Sequence, residues 1–307
     1  MSKQKTIEIP DSYKYIAAFL TMNCNLSCSF CLNDFGEILN RKGFHELSGE
    51  EWVKALNRIE SRENLPITFC GGEPFLHKDF IYIINNLKPE LNIDILTNLY
   101  IGDKGLERFI SEVDPKKINR KSKYASIRVS YHPEQMEDGK KLVENVRKFK
   151  DAGFDIGIYG LKHPDPMLSA ANTQMQFRCI DSGINYREKD FTGKYEGFDD
   201  IDRPFSITHG DYSKYPNSIL EENTKNCMCK TSELLIGPKG DIYKCHRDLY
   251  AKENSIGDIT NLNFQIEDIF RRCNQYGQCN PCDVKLKTNY KQELKHTSVE
   301  IKEIQST

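Results

Sequence analysis

Eleven cysteines are the most informative side chains of this 307-residue chain, because they are grouped. Three lie within residues 24–31 and six within residues 227–282, and only Cys70 and Cys179 lie between the groups. The amino terminus lacks the charged-then-apolar pattern of a secretory signal, so we expect reduced thiols in the cytoplasm and no disulfide framework. Grouped reduced cysteines usually bind metal, whereas Cys70 and Cys179 are expected to be small buried hydrophobes.

The first group reads Cys24-Asn-Leu-Ser-Cys28-Ser-Phe30-Cys31, which is a CxxxCxxC spacing. Three thiolates on a compact loop suit three irons of a cubane 4Fe–4S cluster, and the fourth iron is then open to an exogenous ligand. Structural zinc normally takes four ligands, and no fourth cysteine or histidine is close in the sequence. Zinc and an accidental grouping are the alternatives at this point.

Alternating strand and helix patterns occupy the first two-thirds of the chain. Short runs rich in Ile, Val, Phe and Tyr predict strands at 15–21, 66–70, 93–97, 126–131, 155–159 and 184–187. Helical patterns fill the gaps at 49–62, 79–87, 106–113 and 134–151. The first helix is preceded by Ser48, which with Glu51 forms a capping-box pattern. These repeated units predict a parallel sheet, either open or curled into a barrel.

Polar or glycine-rich sequences follow the first four predicted strands. They are residues 24–31, Gly71-Gly72-Glu73-Pro74, Thr97-Asn98 and Ser130-Tyr131-His132. Functional groups of α/β barrels lie on the loops after the strands, so four such features predict one functional rim. Each has an ordinary explanation when taken alone: the glycines form a turn, Asn98 and Ser130 cap strands, and His132 starts the next helix.

The cysteine spacing and the glycine motif together resemble the radical S-adenosylmethionine (SAM) superfamily. Its CxxxCxφC signature has an aromatic residue at φ, matched by Phe30, and its GGEP motif after the second strand is matched by residues 71–74. The order of elements from residue 14 to about 190 is similar as well. The resemblance implies an α/β fold in which residues 1–190 form a partial (β/α)6 TIM-like barrel.

The resemblance also implies which residues bind the cluster and SAM. Cys24, Cys28 and Cys31 would ligate a 4Fe–4S cluster, and the amino and carboxylate groups of SAM would chelate its open iron. Phe30 would pack beside the adenine. Ser130 would contact the SAM carboxylate or ribose.

The glycine motif is implied to receive the ammonium group of SAM. Gly71 and Gly72 would let the backbone approach closely, and Glu73 would offer a carboxylate to the ammonium. Asn98 would lie nearby. No residue is assigned to catalysis itself.

The second group comprises Cys227, Cys229, Cys245, Cys273, Cys279 and Cys282. Residues 240–245, with a hairpin predicted from 234–236 and 241–244, look like the GxxxxC hairpin of SPASM and twitch domains, which carry auxiliary iron–sulfur clusters. Two fully Cys-ligated cubanes need eight thiolates, so the six present imply one auxiliary 4Fe–4S cluster. The resemblance assigns Cys245, Cys279 and Cys282 with either Cys227 or Cys229, and leaves Cys273 as a spare or alternate ligand. A zinc ribbon is the alternative.

The domain organisation follows from these patterns. We expect the barrel at 1–190, a connecting segment at 191–226 that packs across the barrel mouth, and a small Cys-rich auxiliary-cluster domain with a β-hairpin and a polar tail at 227–307. Only 23 residues precede Cys24, so we expect neither a leader-recognition domain nor a cobalamin domain before the barrel. This favours a small-molecule substrate, or a peptide bound without such a domain.

Composition limits the classes of partner. Lys and Arg number 43 and Asp and Glu 45, a formal net charge of −2 that gives no general argument for nucleic acid. No apolar run is long enough to cross a bilayer, so a membrane partner is not expected either.

The resemblance implies reductive chemistry. An electron from a reductant such as a flavodoxin or ferredoxin would cleave SAM to a 5′-deoxyadenosyl radical, which would abstract hydrogen from the substrate for an oxidation or a crosslink. A non-catalytic two-cluster electron carrier is one alternative, but it leaves Phe30 and residues 71–74 unexplained. A zinc-stapled module that binds nucleic acid or protein is another, but it leaves residues 24–31 one ligand short.

Overall fold

The computed structural model describes residues 5–28, 31, 45–136, 139–190 and 227–273, together with the strand backbones at 205–206, 210–211 and 299–303. The strands described are, in chain order, β1 (Ile7–Glu8), β2 (Tyr15–Thr21), β3 (Ile59–Glu60), β4 (Ile67–Gly71), β5 (Ile93–Thr97), β6 (Ile127–Ser130), β7 (Ile156–Lys162), β8 (Asn185–Asp190), β9 (Phe205–Ser206), β10 (Gly210–Asp211), β11 (Cys227–Thr231), β12 (Glu233–Ile236), β13 (Asp241–Tyr243), β14 (Gly257–Asp258), β15 (Arg271–Cys273) and β16 (Val299–Glu303). The helices are α1 (Gly49–Leu56), α2 (Phe80–Asn86), α3 (Asp103–Glu112), α4 (Lys140–Asp151), α5 (Pro166–Asp181) and α6 (His246–Ala251).

A nine-stranded sheet in the order β14-β13-β12-β2-β4-β5-β6-β7-β8 organises the fold. The six strands from β2 to β8 in this order run parallel. A helix lies in each connection between them, as parallel strands require. The predicted α/β class and partial TIM-like barrel are therefore confirmed.

Alternation along the strands separates two apolar layers. Ile16 and Leu20 of β2 pack with Phe69 and the helices in the main core. The neighbouring residues Ala17 and Phe19 face the other way and join a smaller core on the inner face of the barrel.

The six predicted strands are confirmed, and 15–21 and 93–97 agree residue for residue with β2 and β5. The capping box is confirmed too, because the Ser48 hydroxyl accepts a hydrogen bond from Glu51 N and Ser48 N donates to Glu51 Oε2 at 2.8 Å. Helix α1 ends at Leu56, before residue 62, because the chain then forms β3 and pairs with β1.

Helix α5 was not predicted. Its apolar residues are not confined to one face, since Met167, Phe177 and Ile180 are exposed while Met175 is buried. The amphipathic pattern that reveals a helix in a sequence is therefore weak here.

The predicted C-terminal hairpin forms from β12 and β13 and is built into the barrel sheet. Strand β12 runs parallel to β2, with Glu233 opposite Tyr15 and Ile236 opposite Ala18. Strand β11 belongs to a separate sheet in the order β15-β11-β16. The expected packing of 191–226 over the barrel mouth lies outside the described residues, apart from the short β9–β10 pair.

Buried Arg58 joins residue 5 and residues 259–262 to the barrel. Its Nε donates to Lys5 O at 2.9 Å, and its Nη1 donates to Ile259 O at 2.9 Å and Asn261 O at 3.0 Å. Its Nη2 donates to Leu262 O at 3.1 Å. One guanidinium thus satisfies four backbone carbonyls from two distant segments.

We expect Arg58→Met to lower the free energy of unfolding by about 3 kcal/mol or more, because these carbonyls lose a charged donor. Arg108→Met is the control, since Arg108 pairs with Glu112 at 2.9 Å on the exposed surface of α3, and it should cost less than about 1 kcal/mol. Anaerobic urea unfolding of the reconstituted variants measures both. Equal losses in the two variants would contradict the role given to Arg58.

Candidate functional site

The carboxyl ends of four parallel strands bring the rim segments together. Strand β2 ends at Thr21 just before the first cysteine group, β4 ends at Gly71, β5 at Thr97 and β6 at Ser130. Because these strands run parallel and adjacent, the four segments lie along one edge of the sheet. This is the edge at which α/β barrels carry their sites.

Two glycines allow the cysteine loop to lie directly against β4. Gly72 N donates to Thr21 O at 2.9 Å. A Cβ on Gly72 would lie 2.0 Å from Asn23 O, and one on Gly71 would lie 2.1 Å from Thr21 O. Gly71 also has φ of +135°, which side chains disfavour. Both glycines are therefore needed for the path that the chain takes to Cys24.

The Cys24 sulfur lies among N–H donors. Leu26 N lies 3.5 Å from Cys24 Sγ, and Asn98 Nδ2 lies 3.7 Å from it. Asn98 Nδ2 also donates to Asn25 Oδ1 at 2.9 Å. Donors directed at sulfur stabilise thiolates and cluster sulfurs, so these residues fit an iron–sulfur ligand. Nearby, Cys31 N donates to Cys28 O at 3.1 Å, which closes a tight turn.

The Glu73 carboxyl joins the ends of β4 and β5. It is fully buried. Its Oε1 accepts from Thr97 Oγ1 at 2.7 Å and Phe75 N at 3.1 Å, and its Oε2 accepts from Asn98 N at 2.7 Å. Burial raises the pKa of Glu73 to about 7, although the three hydrogen bonds act in the opposite direction. The carboxyl thus fixes the backbone that carries Asn98.

Ser130 is half-buried at the end of β6, opposite Tyr159 of β7. His132 lies two residues further along the chain. Burial lowers the pKa of His132 to about 4 despite the neighbouring Glu134. The imidazole is therefore uncharged at neutral pH. Phe30, expected beside the adenine, lies outside the described residues.

Glu46 is a residue of the site that motif analysis missed. Thr21 Oγ1 donates to Glu46 Oε1, and Asn23 Nδ2 donates to the same oxygen at 3.2 Å. Through these two hydrogen bonds Glu46 holds the start of the cysteine loop in place. It belongs to no motif, so only the folded chain reveals the contact.

The described cysteines of the second group lie near one ammonium. Burial lowers the pKa of Lys244, but the negative charges of a neighbouring aspartate and of the Cys273, Cys229 and Cys245 sulfurs as thiolates outweigh it and raise the pKa. Across β11 and β15, Cys227 stands opposite Cys273 in the backbone register. Cys273 is thus the strand-pairing partner of Cys227. Cys279, Cys282 and the side chain of Cys227 lie outside the described residues.

Cys70 and Cys179 are buried, as predicted. Burial raises the pKa of each thiol to about 12, so both thiols stay protonated at neutral pH.

Over the parts of the chain that the structure describes, no three Cys, His, Asp or Glu side chains are placed to hold a single metal ion. In the same parts, every helix is too short or too polar to span a bilayer.

Comparison with known proteins bears on the same segment. A family model described as the Radical SAM superfamily matches residues 19–168, which include the first cysteine group, the glycine motif and Ser130. A probable GTP 3′,8-cyclase of Methanopyrus kandleri is 31% identical over 128 residues, which are 39% of this chain and 40% of that protein. The sporulation killing factor maturation protein SkfB of Bacillus subtilis is 31% identical over 106 residues, 34% of this chain and 24% of that protein. The matches thus span less than half the length of either relative.

A solved structure shares the fold. SuiB of Streptococcus suis bound to S-adenosylmethionine superposes with a TM-score of 0.54 at 13% identity, covering 84% of this chain and 64% of that one. At this identity the likeness extends to the fold alone.

Proposed function

Since the chain belongs to the radical SAM superfamily through residues 19–168, we propose that it is an enzyme that cleaves SAM reductively. Cys24, Cys28 and Cys31 would hold the 4Fe–4S cluster. When bound, the cluster and SAM supply an electron transfer that breaks a carbon–sulfur bond and yields a 5′-deoxyadenosyl radical, which removes hydrogen from the substrate. The observation that carries this proposal is the packing of the Cys24 loop on Gly71 and Gly72.

The residues around the loop would orient SAM. Gly71 and Gly72 present backbone to its ammonium group, and the anchored Glu73 holds Asn98 with its amide toward Cys24. Ser130 would contact the SAM carboxylate or ribose from the end of β6. Phe30 would pack on the adenine.

We further propose one auxiliary 4Fe–4S cluster in the C-terminal region. Its ligands would be Cys245, Cys279 and Cys282 with either Cys227 or Cys229. The backbone register that sets Cys273 opposite Cys227 supports Cys273 as the alternate ligand. An auxiliary cluster would assist an oxidation or a crosslink by accepting or relaying an electron.

The relatives support two substrate classes. Their names describe a nucleotide cyclase and a peptide maturation protein, so the substrate would be a small molecule or a peptide. A flavodoxin or ferredoxin would be the reductant.

The test is an anaerobic reconstitution with iron and sulfide, followed by dithionite and SAM, with 5′-deoxyadenosine and bound metal measured. We expect about eight irons per chain and steady formation of 5′-deoxyadenosine. If the protein binds zinc in place of iron, the zinc-stapled binding module replaces this proposal. If it holds reduced iron–sulfur clusters yet leaves SAM intact, the electron carrier replaces it.

A further inference from the structure

Polar side chains line the inner face of β6 and β7 at the level of Ser130, where Tyr159 stands opposite it, and below. Ile127 and Val129 of β6 pack in the helix-covered core, so the alternate residues Arg128 and Ser130 face the barrel interior. Positions two apart on a strand are separated by roughly 7 Å. Arg128 therefore lies one layer deeper in the barrel than Ser130, the residue proposed to contact SAM.

Two hydrogen-bond donors on this face lack an acceptor. The Nε of Arg128 and the Oη of Tyr159 are both buried, and neither makes a hydrogen bond within the described chain. Burial raises the pKa of Tyr159, so its hydroxyl stays protonated and able to donate. A buried donor without an acceptor is unfavourable and rare in folded proteins, so such atoms beside a site point to a ligand that supplies acceptors.

Several cationic side chains lie on this wall. The Asp94 carboxylate accepts hydrogen bonds from Arg120 Nε at 2.8 Å and Arg120 Nη2 at 2.9 Å. It also accepts one from Arg128 Nη2 at 3.1 Å. Two guanidinium groups thus share one carboxylate. Lys189 adds a further cation, with its Nζ 5.4 Å from the centre of the Tyr159 ring.

The opposite side of the barrel has a different character. Glu233 of β12 lies there with its Oε2 3.7 Å from His246 Nδ1. Among the described residues named here, the guanidinium and ammonium groups thus lie on the side of β6, β7 and β8.

We propose that Arg128, Tyr159 and Lys189 bind an oxyanionic group of the substrate, a carboxylate or a phosphate, inside the barrel beside the SAM site. The donors and cations match the requirements of such oxygens, which accept hydrogen bonds and carry negative charge. The inference rests on the proposed function, because it assigns the substrate of that same site.

The test measures the binding of charged probes and their neutral counterparts to the reconstituted protein with SAM, by anaerobic calorimetry. The pairs are GTP with guanosine, and a Glu-Gly-Glu peptide amide with its Gln-Gly-Gln counterpart. We expect the acidic member of one pair to bind at least 10-fold more tightly than the neutral one. The pair that responds identifies phosphate or carboxylate as the group.

Variants then locate the site. Tyr159→Phe and Lys189→Met should each weaken the acidic probe by about 10-fold, a loss of about 1.4 kcal/mol. Tyr186→Phe is the matched control, because its hydroxyl donates to Asn172 O at 3.2 Å near α5, and it should bind the probe like wild type. Unchanged affinity in both test variants would overturn the proposal, as would equal binding of charged and neutral probes.

The two proposals fail in different ways. Wild type that cleaves SAM but does not prefer an acidic probe overturns the oxyanion site and leaves the enzymatic proposal standing. Wild type that prefers an acidic probe, with the loss in Tyr159→Phe, but cleaves no SAM supports the oxyanion site and overturns the enzymatic proposal.

Discussion

Replacing Cys24, Cys28 and Cys31 together with alanine should remove about four of about eight irons and abolish formation of 5′-deoxyadenosine. The three thiols occupy one short loop, and the donors around Cys24 suit a sulfur that carries negative charge. Their loss would leave the C-terminal cysteines untouched, so the remaining iron reports the auxiliary cluster. Iron and sulfide assays with a timed anaerobic SAM-cleavage assay measure both effects.

Cys179→Ala is the control for this experiment. Its thiol is fully buried and burial raises its pKa to about 12, so its removal should leave the iron count and SAM cleavage unchanged. A triple variant that keeps about eight irons would show that the loop thiols are not ligands. One that loses iron but still cleaves SAM would separate the cleavage from this cluster.

Gly72→Ala should reduce SAM cleavage by about 100-fold or more although it removes no ligand. The added Cβ would lie 2.0 Å from Asn23 O and 2.6 Å from Met22 O, and backbone cannot remain that close. The loop must move away from β4 and carry Cys24 with it. A misplacement of about 1 Å is enough to cost two orders of magnitude in rate.

The matched control is Gly102→Ala, where an added Cβ has nothing within 4 Å. It lies at the start of α3 with φ of −63°, an angle that alanine adopts readily. Rates of 5′-deoxyadenosine formation and iron content should match wild type in this variant. Cleavage by Gly72→Ala within two-fold of wild type would show that the glycine is a simple turn residue.

Local features explain which parts of the fold and of the candidate site were predictable. The strands stand out because buried parallel strands are short runs of β-branched and aromatic residues, as in 93–97. The first cysteine group and the glycine motif are contiguous, so their spacing is visible in the sequence. The capping box of Ser48 and Glu51 is equally local.

The missed features depend on contacts between distant residues. Glu46 hydrogen-bonds Thr21 and Asn23 from more than twenty residues further along the chain, and no spacing rule marks it. Glu73 was expected to offer its carboxylate to SAM, and nothing local shows that Thr97 and Asn98 bind both oxygens. That assignment stays a proposal, now with a structural role beside it.

The proposed auxiliary site was likewise only partly predictable from the sequence. Counting cysteines argues for one cluster, but it gives no reason to prefer one ligand over another. The register that sets Cys273 opposite Cys227 comes from strand pairing and is not visible in the spacing. The ligand set therefore needs the structure of the folded sheet as well as the count.

The pairing of β12 with β2 makes the barrel one of the last parts of the chain to be completed during synthesis. Strand β2 has β4 on one side, but its other neighbour begins at Glu233, about two hundred residues further along. Until that strand emerges from the ribosome, the backbone of β2 has an unpaired edge beside apolar Ala17 and Ala18, which is the kind of edge that pairs with other chains. Contacts of such long sequence separation also form slowly. A fragment that stops before the hairpin would contain every residue proposed to contact SAM, yet its exposed strand edge would favour aggregation. The C-terminal region therefore covers the edge of β2 in addition to carrying cysteines.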